Sequence, residues 1–198
     1  MVTIDVRTER NSMIRKLSLK LLGFKLHAKL VLLALNPLTP TNRTQTLETI
    51  ERLKAITVEL DGKASVSYTS LLEQESHVYS ATARTNTELL DLDARWAEIE
   101  ALRVQAVGPE HVLVARAFHH RARIRSRLHD LQNALRFYRQ ADKLYERRHY
   151  LSYEHISCLE EQADVMDALG DHQQAASRRL LAHHLSGIRL QYRGSRFG

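Results

Sequence analysis

Apolar residues recur every three or four positions along most of this chain, and the strict alternation that marks strands is missing. Ile14, Leu17, Leu21, Phe24, Ala28, Val31 and Leu35 form one series; Leu47, Ile50, Leu53, Ile56 and Leu60 form a second. That spacing puts the side chains of each series on one helical face. Gly23 interrupts the first helix without ending it, at about 1 kcal/mol relative to alanine. Asn36-Pro37-Leu38-Thr39-Pro40 separates the two, because proline lacks a donor and restricts the residue before it. Thr41 or Thr44 is placed to cap the second helix, and Gly62, in Asp61-Gly62-Lys63, suits a C-cap with positive φ. The pattern predicts further helices over 66–85, 88–106, 110–128, 131–148, 152–169 and 172–190. Their joins are Thr85-Asn86-Thr87, Gly108-Pro109, Asp130, His149-Tyr150-Leu151 and Gly170-Asp171. Joins this short make successive helices antiparallel.

Two segments share a layout 41 residues apart. The first holds Phe118, Ala122, Leu128-His129-Asp130, Ala134, Tyr138 and Ala141. The second holds Leu159, Ala163, Leu169-Gly170-Asp171, Ala175, Arg179 and Ala182. Each reads as two helices joined by a tight turn, with alanine where the helices must approach closely. A fixed period of this size marks a stacked repeat.

These residues resemble the tetratricopeptide repeat (TPR), in its longer-period form, as in kinesin light chains and bacterial regulatory and sensor proteins. The chain departs from the pattern at Arg121, Arg125, Gln162 and Arg179, where the family has large apolar residues, and neither repeat ends in proline. A degenerate earlier copy is expected over Ala81 to Leu102, with Asp91-Leu92-Asp93-Ala94 echoing the turn. The resemblance implies an all-α fold: a right-handed stack of antiparallel helix hairpins, a TPR-like α-solenoid. The expected organisation is a basic amphipathic helix and proline linker over 1–40, a repeat domain over 41–190 and a basic, exposed tail over 191–198; residues 1–10 read as polar and frayed.

Charge adds a block pattern. The net charge is +6 over 1–47, −6 over 48–110, +7 over 111–150 and −1 over 151–198. Adjacent blocks in a linear stack can neutralise one another, so the high isoelectric point is weak evidence for nucleic acid. From Asn11 to Leu47 there is no acidic residue, and Lys16, Lys20, Lys25 and Lys29 lie around the first helix. The main expectation for that helix is burial of its leucine side in the stack; membrane-surface docking and a targeting segment are the alternatives. The longest apolar run, Leu30 to Leu35, is far below the ~20 residues a bilayer span needs. A single cysteine, Cys158, excludes a disulfide framework and fits a reducing, cytoplasmic setting.

The resemblance implies that the concave face, built from the first helix of each repeat, holds a peptide or helix. It puts Arg116, His119, Arg123 and Arg127 on one helix and Ser157, Glu160, Asp164 and Asp167 on the next. Arg123 with Asp164 and Arg127 with Asp167 are the expected cross-groove pairs. The expected function is non-catalytic: an adaptor, a chaperone-like holder or the sensing part of a regulator, binding another protein through an acidic or extended segment. The alternative is nucleic-acid or anionic-membrane binding through 15–29 and 116–127. No phosphate loop, paired-carboxylate or nucleophile motif supports an enzyme. His119-His120 and His183-His184 are adjacent and chelate poorly, His155 and Cys158 lack a second ligand pair, and no metal or cofactor is expected. No polar capping helix follows the last repeat, which leaves a dimer partner or a neighbouring domain open.

Overall fold

Four of the helix starts among the described residues are set by hydroxyl caps. In a computed structural model describing residues 6–34, 39–147 and 152–194, helix α2 (Pro40–Asp61) begins at Thr39, whose Oγ1 accepts the Asn42 N–H at 3.2 Å. This corrects the expected cap at Thr41 or Thr44. Pro40 has the φ of a first helical residue and no N–H to lose, so the cap falls one residue before it, and Thr44 bonds back to the Pro40 carbonyl at 3.2 Å. Gly62 ends α2 at φ 81°, as its position predicted. Ser65 caps α3 (Val66–Ser80). A capping box of Thr85 and Glu88 starts α4 (Asn86–Val107), and His111 caps α5 (Val112–Arg127). Helices α6 (Leu131–Arg147), α7 (Tyr153–Ala168) and α8 (His172–Gly194) complete the chain, with Ser152 capping α7. Among the described residues there are eight helices and no strand. The fold is all-α. The join at His149-Tyr150-Leu151 lies outside the described residues, as do 195–198 of the expected tail; residues 191–194 are helical.

The chain divides into two compact units, Met1–Ala81 and Thr82–Gly198. In the first, α1 (Val6–Ala34) already includes Val6 to Arg10, which the sequence suggested would fray. Its burial is the main correction to the sequence reading. Leu26 and Leu30 are buried and Leu19 partly so, packed with Ile50, Leu53 and Ile56 of α2 and Leu71 of α3. The series expected in the core points outward instead: Ile14, Leu17, Leu21, Phe24 and Val31 are all exposed. Leucines run along two opposite faces of α1, and the face that packs is the one carrying Gly23. A β-carbon there would stand 3.7 Å from Ile56 Cγ2, an ordinary contact distance, so α2 packs here without requiring glycine.

In the second unit, neighbouring helices pack in sequence from α4 to α8. The repeat alanines sit at the contacts: Ala122, Ala134, Ala141, Ala163 and Ala175 are fully buried and Ala182 nearly so. Phe137, Tyr138, Tyr145 and Cys158 fill the space around them. Asp91-Leu92-Asp93-Ala94, expected to echo the repeat turn, lies inside α4. Asp93 fails as a turn residue because it is buried there as an ion-pair partner.

The two repeat turns are superposable in their bonding. Asp130 N–H reaches the Arg125 carbonyl at 2.9 Å, and Asp171 N–H reaches the Met166 carbonyl at 2.9 Å. Both are the outer bond of a Schellman closure. The residue that turns the chain is left-handed in each, Gly170 at φ 87° and His129 at φ 58°. A β-carbon makes that conformation costly. His129→Gly is therefore expected to stabilise the second unit by about 1 kcal/mol and Gly170→Ala to destabilise it by a similar amount. Nothing lies within 4 Å of the Gly170 β-carbon position, so that cost is backbone alone. Urea unfolding of the two variants checks both signs.

Candidate functional site

Glu161 of α7 is the polar centre of the second unit. Arg123 of α5 grips it with both ends of the guanidinium: Nε to Oε2 at 2.7 Å and Nη2 to Oε1 at 2.5 Å. His119 Nε2 lies 3.0 Å from Oε2, the Tyr138 hydroxyl donates at 3.1 Å, and the Ser157 hydroxyl donates to Oε1 at 2.7 Å. Three helices are thus joined at one carboxylate. Burial alone would push the pKa of Glu161 up, but the bonds from His119 and Arg123 outweigh it and hold this carboxyl well below the usual carboxylate range. Burial dominates at His119 and lowers it below the ordinary imidazole value, despite the bond it donates to Glu161. The two directions agree on one state near neutrality: ionised Glu161 accepting from a neutral imidazole protonated at Nε2.

That state fixes a pH dependence. His119 binds protons less readily folded than unfolded, so its contribution is complete above its ordinary value near 6.5 and is lost as pH falls below it. Glu161 has the same sign, with losses beginning below the ordinary carboxylate range. Stability of the second unit is expected to fall between pH 7 and pH 5. In His119→Gln, which keeps a donor but cannot titrate, that slope is expected to flatten; unfolding midpoints at the two pH values test it.

Beside this cluster opens a cleft of about 360 Å³. Leu131, Val165 and Ala168 form its apolar wall; Arg123, Ser126, Arg127, Tyr138, Glu161 and Asp164 supply the polar lining. Of the residues singled out in the sequence, Arg123, Arg127 and Asp164 line it. Glu160 is exposed away from it. Adjacent helical residues point about 100° apart, and that one-residue rotation separates Glu160, expected on the groove, from Glu161, which the sequence did not single out. The signal was present in the i,i+4 pair Ser157–Glu161.

The expected cross-groove pairs do not form. Arg123 takes Glu161 rather than Asp164. Asp164 and Asp167 instead receive Arg179 of α8, at 2.8 and 2.5 Å, and Asp167 also His172 at 2.9 Å. Arg127 donates to the Ala83 carbonyl at 2.7 Å. Arg116 is half-buried on the same helix and also engaged. The rest of the basic row turns toward α4: Arg121 binds Asp93 and Glu100 at 3.1 and 2.8 Å, and Arg125 binds Asp93 and Asp130 at 2.5 and 3.2 Å. Carboxylates from the neighbouring blocks thus pair with much of the basic one, as the charge pattern suggested. Arginines held this way offer no continuous phosphate-binding stripe. Cys158 is fully buried, its thiol pushed up by burial and set against the Tyr138 carbonyl. His155 is bound to Asp142 at 3.0 Å. Neither is presented to the cleft.

The fold defines the class to which this chain is similar: TPR-like helical repeats. The crystal structure of BtubC (BKLC) from P. vanneervenii matches at a TM-score of 0.65 and 13% identity, covering 75% of this chain. This chain spans 58% of that one. Nearly identical TPR-like repeats of a putative kinesin light chain from Podosopora anserina match at 0.62 and 16% identity, covering 88% of this chain and 89% of that one. No protein-family model and no curated protein matches the chain. Among the described residues no helix is long and apolar enough to cross a membrane.

Proposed function

We propose that the second unit is a protein-interaction module that holds an extended segment of another protein in the cleft between α5 and α7. The observation that carries this is the cleft itself: an open, partly apolar recess whose floor is a locked polar cluster. Preorganised floors of this kind spare a ligand the cost of ordering its site. A small apolar side chain fits against Leu131, Val165 and Ala168. A carboxylate of the same segment meets the positive charge of Arg127, which is exposed at the cleft. Support for holding over catalysis comes from the same groups. Glu161 is saturated with donors, so it is a poor base, and the Cys158 thiol is buried away from the cleft. An adaptor or the sensing part of a regulator fits this description.

Selection of displayed random peptides on the intact chain tests it. Enriched peptides are expected to carry an acidic residue beside a small apolar one. Their binding should fall at least tenfold with Ala168→Trp, which fills the cleft from an exposed position, and with Arg127→Glu. Arg123 is left alone because reversing its charge would break the Glu161 cluster. Peptides that bind both variants as well as the intact chain would place recognition elsewhere.

A further inference from the structure

The outward face of α1 carries most of the exposed large apolar residues described in the first unit, and the repeat fold does not explain it. Ile14 is 50% exposed, Leu17 59%, Leu21 58%, Phe24 73%, Val31 58% and Leu32 63%. At 100° per residue they share an arc roughly 100° wide and about 27 Å long. This arc lies opposite Leu19, Leu26 and Leu30, which carry the packing on α2. Lysines border it on both edges. Lys16 and Lys20, with His27, follow one side; Lys25 and Lys29 follow the other, and all are exposed. Among the described residues none of the four lysines pairs with a carboxylate, and no acidic residue occurs between Asn11 and Leu47.

We propose that this face of α1 docks on an anionic lipid bilayer, lying in the plane of the surface. The apolar arc would enter the boundary between headgroups and acyl chains while the two lysine rows reach up to the phosphates. Charge selects this occupant. A second copy of the chain would bring lysine rows against lysine rows with no carboxylate between them. A nucleic acid would meet an apolar strip where its phosphates need cations. An anionic membrane offers an apolar layer and a negative layer in the order this helix presents its own. The arc is too short and too one-sided to span. Sequence periodicity alone assigned this stripe to the core; its exposure, with the lysines on both flanks, is what turns the reading to a lipid surface.

Co-sedimentation of the full chain with vesicles tests the proposal. One set is phosphatidylcholine alone and the other contains phosphatidylserine at about 30%. The intact chain is expected to partition onto the anionic vesicles and not onto the neutral ones. Lys16, Lys20, Lys25 and Lys29 changed together to Gln should weaken partitioning by roughly 100-fold or more. Leu17→Ser with Leu21→Ser and Phe24→Ser should abolish it while the helical circular dichroism stays unchanged, because these side chains are outside the core. The proposal is overturned if the chain ignores anionic vesicles, if neutral vesicles take it up equally, or if the triple serine variant still binds. It is also overturned if sedimentation equilibrium shows a dimer that this variant dissociates, or if a short DNA duplex binds where vesicles do not.

Discussion

Glu161→Ala is expected to destabilise the second unit by about 2–3 kcal/mol. The carboxylate is the shared acceptor for Arg123, His119, Tyr138 and Ser157. Removing it takes the shared acceptor from four residues and leaves one guanidinium without its counter-charge, though Arg123 Nη2 keeps a bond to Ser157 Oγ at 3.1 Å. Losing one partner of a fully buried pair costs about 3–5 kcal/mol. Arg123 keeps 40% of its side-chain exposure and Glu161 28%, so water recovers part of that. The neighbouring Glu160→Ala is expected to change stability by less than about 0.5 kcal/mol, because its side chain is exposed. The chain's single tryptophan, Trp96, is buried within the same unit, and its fluorescence during urea unfolding reports the difference directly. Equal effects of the two substitutions would mean that Glu161 is not the junction described.

The second large effect is expected at Ala163. This residue is fully buried, in the cluster that also holds Ala122, Ala134 and Tyr138. Leucine there must push helices apart or adopt a strained rotamer, at about 3 kcal/mol, the upper end of overpacking costs. The thermal midpoint should drop by roughly 10 °C. Ala168→Leu, on the same helix but exposed, is expected to move it by no more than about 2 °C. The pair separates helix-contact alanines from alanines that are merely good helix formers.

Much of the architecture was legible because it is local. Spacing of three and four located the helices, and alanines repeating at 41 residues located the close contacts, all of which are buried. The turn at Gly170 was readable from glycine; its twin at His129 was readable only from the repeat. What sequence could not resolve was rotation. On α1, leucine occurs on two faces, and periodicity cannot say which meets α2. On α7, one residue of rotation decides between Glu160 and Glu161. Partner choice among charges was equally hidden. Arg123 and Asp164 both line the cleft, yet each is taken by a nearer group, Glu161 and Arg179. A charged side chain long enough to reach several partners is assigned by packing, which no spacing rule contains.

The most direct test of the central proposal is hydrogen exchange on the full chain with and without a peptide selected on it. Binding in the α5–α7 cleft predicts slowed exchange confined to residues 123–131 and 161–168, with the rest of the chain unchanged. Protection on α1, on the outer face of α6, or nowhere at all would contradict it.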